Sequence, residues 1–194
     1  MTNLTAPHFI GQGVLEPCAL LDLTDLPRVG FRGLDSATYL QARGFQLPEA
    51  PNRALTQADG SHVARLSSTE YLLLGSHRDQ GQRLADMEAG WEMDHQANYL
   101  LPRQDSHAWL QLSGRHISEV MAKVCGVDLR PAAFGPGAVA QTSAARINVI
   151  VINLGAAELP AFEILFDRAS QAYFRAALLD AMQEFGGVLL HSDA

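Results

Sequence analysis

One carboxylate stands where chemistry could be done. Asp128 follows a helix-like run ending at the stop Gly126 and precedes Pro131 and Gly135-Pro-Gly137. An acid at the mouth of a Pro/Gly loop could anchor a polar ligand or move a proton. A short carboxylate in that place also satisfies the amides of a turn, which is the commoner task of Asp. Both uses stay open at this point.

The other reactive side chains are scattered. The 7 histidines are His8, His62, His77, His95, His107, His116 and His191. No two of them stand four apart, the spacing that puts two imidazoles on one helix face. Cys18 and Cys125 lie far apart and in no C-x-x-C, so they read as reduced thiols of a cytosolic protein. Cys125 sits at a helix end whose dipole disfavours a thiolate. No metal site is expected. Gly11-Gln-Gly13 opens like a dinucleotide fingerprint but lacks the third glycine and the strand-to-helix setting. Pro136 removes an amide that a phosphate-binding turn would need. There is no G-x-S-x-G elbow, and Ser113-Gly114 reads as a helix cap. Catalytic residues are therefore not expected in this chain.

Charge excludes some partners. The 194 residues carry a net charge of −7, from 14 Lys+Arg against 21 Asp+Glu. Phosphate backbones and anionic lipid are repelled, so neither nucleic acid nor membrane is expected as a partner. Charged residues make up 18% of the chain, against about 25% in typical domains. Such a shortage points to a surface that meets another protein or to a larger core. MTNLTAPHFIGQG lacks the charged and apolar regions of a signal peptide. The run from Ile147 to Leu154 is broken by Asn148 and Asn153 and is too short to span a bilayer.

The elements that must position Asp128 follow from periodicity. Arg28–Arg32 reads as a strand, and Asp35 as the cap of a helix stopped by Gly44, with Leu34 stapled onto Tyr39. Ala54–Gln57 and His62–Leu66 flank Asp59-Gly60, a hairpin signal in which both turn residues need positive φ. Glu70–Leu74 is a further strand. Ser76-His-Arg-Asp79 opens a helix bearing Leu84, Met87 and Trp91. In the second series, His107–Leu112 is a strand. Ser113 caps a helix carrying Ile117, Val120, Met121 and Val124 at i, i+3, i+4 and i+7. Strands follow at 138–142, 147–154 and around Phe162, Ile164 and Phe166. A last helix aligns Phe174, Leu178, Met182 and Phe185.

The same order, strand, helix, three strands, helix, thus occurs twice. Arg-Gly33-Leu and Gly44 in the first series echo Ser-Gly114-Arg and Gly126 in the second. The expected fold is α+β in two pseudo-repeated halves, each an antiparallel sheet with helices on one face. The expected division is an N-terminal arm at 1–13, a first half at 14–91, a connecting segment at 92–107 and a second half at 108–194. The arm and the connecting segment are free to reach a partner.

Asp25-Leu-Pro-Arg-Val-Gly-Phe-Arg-Gly33, Pro51-Asn-Arg-Ala54, Asp59-Gly60, Ala64-Arg-Leu-Ser67, Ser113-Gly114, Val139-Ala-Gln-Thr142 and Glu184-Phe-Gly-Gly187 resemble the gamma subunits of heterotetrameric sarcosine oxidases. Beyond that, the chain is similar to the folate-binding aminomethyltransferase fold of the glycine cleavage T-protein. The resemblance implies a structural subunit, in the cytoplasm, beside alpha, beta and delta subunits. FAD, FMN, NAD, tetrahydrofolate and zinc are then expected in those partners and not here. It also implies that Asp128 matches a functional Asp of the aminomethyltransferases. Their Gly-Gly and Asp-Asp positions read Ser143-Ala144 and Ile147-Asn148 here. The alternatives are an autonomous folate-binding, aminomethyltransferase-like module using Asp128 and a stand-alone interaction protein that forms a homo-oligomer through its charge-poor surface; the isolated subunit itself is expected to self-associate weakly.

Overall fold

Glu70–Leu74 and Ile147–Asn153 are apolar at nearly every position and not only at alternate ones, the pattern of strands buried on both faces. The computed structural model describes residues 17–156 and 159–190 and places both runs inside sheets. In chain order the elements are β1 (Ala19–Asp22), β2 (Arg28–Arg32), α1 (Ser36–Ala42), β3 (Arg53–Thr56), β4 (His62–Arg65), β5 (Glu70–Leu74), α2 (Gln82–Ala89), β6 (Tyr99–Pro102), β7 (His107–Ser113), α3 (Ile117–Ala122), β8 (Val139–Ala144), β9 (Ile147–Asn153), β10 (Ala161–Asp167), α4 (Gln171–Gln183) and β11 (Val188–Leu190). The arm at 1–13 lies outside the described residues.

Residues 25–106 form one unit, with a five-stranded sheet in the order β3-β4-β5-β2-β6. All its pairings are antiparallel. Val29, Phe31, Val63, Tyr71 and Leu73 project from one sheet face onto Leu40 of α1 and Leu84 of α2. The alternation of β-strand side chains puts these residues together. Each fully buried side chain of this size contributes about 1.5–3 kcal/mol relative to exposure.

The other unit has a six-stranded sheet in the order β11-β1-β7-β10-β9-β8. Leu110, Leu112, Val149, Val151, Phe162, Ile164 and Phe166 meet Ile117, Val120 and Met121 of α3 and Phe174, Leu178 and Met182 of α4. The α+β class with antiparallel sheets and helices on one face is therefore as expected. The order β3-β4-β5-β2 in one sheet has its counterpart in β8-β9-β10-β7 of the other.

The boundaries differ from the sequence division. The stretch 92–107, read as a connection, contains β6, which pairs with β2 from Val29↔Pro102 to Arg32↔Tyr99. Pro102 is tolerated because β6 is an edge strand. β1, read as part of the first half, pairs with β7 and in parallel with β11. Short edge strands are claimed by whichever sheet offers an open edge, and local sequence does not carry that choice.

Several caps and turns also differ. Asp35 stands at the N-cap position of α1, but its carboxylate does not cap the helix. It accepts from the Ala97 amide at 2.7 Å, while the Asp35 amide donates to the Ala97 carbonyl at 3.0 Å. Leu34 is no staple, because Tyr39 packs on Phe31 and under the Arg43 guanidinium. Ser113 stays in β7, and the N-cap position of α3 is His116. In the Asp59-Gly60 hairpin only Gly60 has positive φ, at 89°. The Gly60 amide closes a turn onto the Gln57 carbonyl, and the left-handed Gly60 adds a bulge. The tight turn with two positive φ values lies instead at Ala145 and Arg146, at 47° and 68° between β8 and β9. Arg146 is exposed there. Replacing it with glycine removes the left-handed penalty, so R146G is expected to gain about 0.5–1 kcal/mol in thermal denaturation.

Candidate functional site

Asp128 lies on the loop after α3, and Arg130 occupies its carboxylate. Its Oδ1 accepts from the Arg130 amide at 3.1 Å and from Nε at 2.8 Å, and its Oδ2 accepts from Nη2 at 2.6 Å. These hydrogen bonds hold the acid down to about 2. The next residue, Leu129, is buried, and its carbonyl accepts from the Ser118 hydroxyl at 3.0 Å. Asp128 thus folds the loop back onto α3 as a turn residue does. Ser143, Asn148 and Ile147 flank the β8–β9 turn and present no carboxylate there.

A buried acid that sequence reading did not single out stands in the centre of the six-stranded sheet. Glu163 on β10 is 2% exposed, on the face turned away from α3 and α4. The register places it opposite Gln111 on β7 and Ile152 on β9. The Trp109 indole N–H donates to Oε2 at 2.6 Å, and the Gln111 amide donates to Oε1 at 2.7 Å. Burial pushes the carboxyl up to about 7, against the pull of the two donors. The signal available in the sequence was a lone Glu inside the apolar strand AFEILFD. A satisfied carboxyl of this kind can hold a proton near neutrality and fixes the orientation of the indole.

A third polar cluster surrounds the β3–β4 hairpin. Asp59 accepts from the amide and hydroxyl of Ser61 at 2.9 and 2.6 Å and pairs with Arg83. Burial raises its carboxyl, but those hydrogen bonds and the Arg83 charge outweigh burial and hold it at about 2. Ser76 Oγ donates to the Asp59 carbonyl at 2.8 Å, and Arg78 to that of Ala58 at 3.0 Å. Burial, with His77 nearby, pushes the His62 imidazole down to about 4, and its Nδ1 lies 3.0 Å from the Thr56 hydroxyl. Every strong acceptor here is spent on the hairpin, so the cluster braces a turn. Among the described residues, no three His, Cys, Asp or Glu side chains gather as metal ligands would. Cys18 and Cys125 are both buried and unbridged. No described helix is long and apolar enough to cross a membrane.

No family model matches the chain. The fold is that of the aminomethyltransferases. The glycine cleavage system aminomethyltransferase T from Bartonella henselae aligns with a TM-score of 0.63 over 91% of this chain and 48% of its own length, at 13% identity. A chain of the heterotetrameric sarcosine oxidase from Corynebacterium sp. U-96, in complex with pyrrole 2-carboxylate, aligns with a TM-score of 0.70 and 26% identity, over 87% of this chain and 85% of that one. In sequence, the chain is 28% identical over 166 residues to the sarcosine oxidase subunit gamma of Corynebacterium sp. (strain U-96), covering 81% of this chain and 76% of that protein. The chain is a homologue of the sarcosine oxidase gamma subunit.

Proposed function

We propose that this chain is a non-catalytic gamma-type subunit of a heterotetrameric sarcosine oxidase. Its partner flavoprotein subunits carry out the oxidative demethylation of sarcosine to glycine. The observation that carries this reading is the agreement of sequence and structure, each over more than three quarters of the chain, with sarcosine oxidase. The partners are alpha, beta and delta subunits, and FAD, FMN, NAD, tetrahydrofolate and zinc are held there. The fold alone would also suit a folate-binding module. The residues at the matching places do not fit a folate: Arg130 takes both oxygens of Asp128, and Ile147 and Asn148 replace an acidic pair.

Co-expression with the large subunits tests the assembly. The chain is expected to co-purify with them at one copy per complex. The separately purified chain is expected to be colourless, without amine oxidase activity. A stoichiometric flavin band on the lone chain, or its absence from the purified flavoprotein complex, overturns the reading. Titration calorimetry with tetrahydrofolate tests the other use of the fold. No binding is expected for the wild type or for Asp128→Asn, and micromolar binding abolished by Asp128→Asn makes the folate module the better account.

A further inference from the structure

Asp59-Gly60 is the one Asp-Gly pair of the chain, which has no Asn-Gly. Such a pair is chemically labile. The glycine amide nitrogen, shielded by no side chain, attacks the side-chain carboxyl carbon of the Asp. A C–N bond forms, the C–OH bond breaks, and the hydroxyl leaves with the amide proton as water. Water then opens the resulting five-membered succinimide at the backbone carbonyl. The main chain now runs through the side chain, as isoaspartate.

The fold cannot dispense with either residue. Gly60 has a φ of +89°, and a Cβ on it would lie 2.8 Å from Ser76 Oγ. Asp59 is the acceptor on which Ser61 and Arg83 converge. Water for the ring opening is at hand, since the Asp59 side chain is 33% exposed.

Three features of the hairpin oppose the attack. The nucleophile is engaged: the Gly60 amide donates to the Gln57 carbonyl at 3.0 Å. The carboxyl is engaged through both oxygens. Oδ1 accepts from the Ser61 amide and hydroxyl at 2.9 and 2.6 Å, and Oδ2 from Arg83. Donors on both sides restrain the rotation that would present the carboxyl carbon to the Gly60 nitrogen. The leaving group is withheld. Expelling water requires a protonated carboxyl, and against burial, which raises it, the Ser61 and Arg83 bonds hold this one at about 2. Arg83 is itself braced: its Nη2 donates to the Arg43 carbonyl at 3.0 Å, and its guanidinium lies 3.9 Å over the Phe45 ring.

We infer that Asp59 is a latent isoaspartate site and that Ser61 and Arg83 are the residues that keep it closed. The change they prevent would add a methylene to the main chain inside the turn. The Asp59 carbonyl, which accepts from Ser76 Oγ at 2.8 Å, would leave the main chain, and the Thr56↔His62 pairing at the end of the hairpin would be displaced.

The test ages the full chain in buffer near pH 5 and counts isoaspartate at residue 59 by peptide mapping with an isoaspartyl methyltransferase. Circular dichroism melts select a temperature at which each variant is folded. The folded wild type is expected to react at least about tenfold more slowly than the same chain unfolded in urea, where the ordinary carboxyl value returns. Ser61→Ala with Arg83→Gln is expected to raise the folded rate roughly tenfold, by raising the protonated fraction. Glu163→Leu loses stability in the other unit with the clasp intact, and is expected to react at the wild-type rate. A folded double variant that reacts no faster than the wild type overturns the proposal. So does a folded wild type that reacts at the urea rate, or a Glu163→Leu protein as fast as the double variant. Should the double variant fail to fold, Ser61→Ala alone decides: a rise of about threefold is expected, and an unchanged rate overturns the proposal.

Discussion

Glu163→Gln is expected to flatten a fall in stability that the wild-type protein shows between about pH 4.5 and pH 7. The carboxyl is held near 7 in the folded chain, against an ordinary value of 4.5. The folded state therefore binds this proton more tightly than the unfolded chain does. The resulting stability is complete below pH 4.5 and is lost as the pH rises through the folded value. A shift of this size corresponds to about 3 kcal/mol. Glutamine stays neutral throughout and keeps an oxygen for the Trp109 indole. Its own amide can donate to Gln111 once that side chain turns its oxygen inward. Glu163→Gln is thus expected to gain roughly 2–4 kcal/mol over the wild type at pH 8 and to match it near pH 4. Glu163→Leu removes the acceptor and leaves a buried indole N–H unpaired, at about 1–3 kcal/mol even at low pH. Urea unfolding at a series of pH values decides the point. Superimposable wild-type and Glu163→Gln curves from pH 4 to pH 8 would show that the carboxyl is not held in its protonated form.

Gly33→Ala is expected to be the most damaging of the small substitutions. Gly33 has a φ of +147°, which L side chains rarely adopt. A Cβ there would lie 1.8 Å from the Ala97 carbonyl oxygen and 2.5 Å from its carbon. Both obstacles are backbone, held by Asp35, so neither a rotamer change nor a small shift relieves the clash. The segment that carries Ala97 must come away from the turn that carries Gly33. The cost is expected to be at least about 3 kcal/mol, or roughly 6–12 °C in Tm for a chain of this size. Gly126→Ala is the control. A Cβ there meets nothing within 4 Å and the φ is not positive, so the change is expected to be neutral or to gain about 0.4–1 kcal/mol. A Gly33→Ala protein as stable as the wild type would refute the close approach.

Gly33 and Gly126 also show where reading by analogy stops. In sequence, Gly33 and Gly114 look like one another, and so do Gly44 and Gly126. Gly33, Gly114 and Gly44 all have positive φ, and Gly126 does not. The Cys125 bridge to Ala144 and the Ala145 amide on the Val124 carbonyl end α3 in another way.

The residues by themselves determined most of the elements and their apolar faces. RVGFR and EYLLL are strands over the expected residues. The faces of α3 and α4 are the ones their periodicity picked out, because the spacing of buried residues on a helix is local geometry. The likeness to sarcosine oxidase gamma subunits was also legible, since it lies in short motifs. What only the tertiary structure decided were the long-range pairings. β1 joined the sheet of residues 107–190 and β6 the sheet of residues 28–74, because the edge a short strand occupies depends on which edge is open. The use of each carboxylate was settled in the same way. Asp35, Asp59, Asp128 and Glu163 differ little as letters in a chain. One clasps a loop, one braces a hairpin, one is closed by its neighbour Arg130, and one is buried beneath an indole. A carboxylate takes its role from the donors that folding brings within 3 Å, and those donors lie up to 62 residues away in sequence.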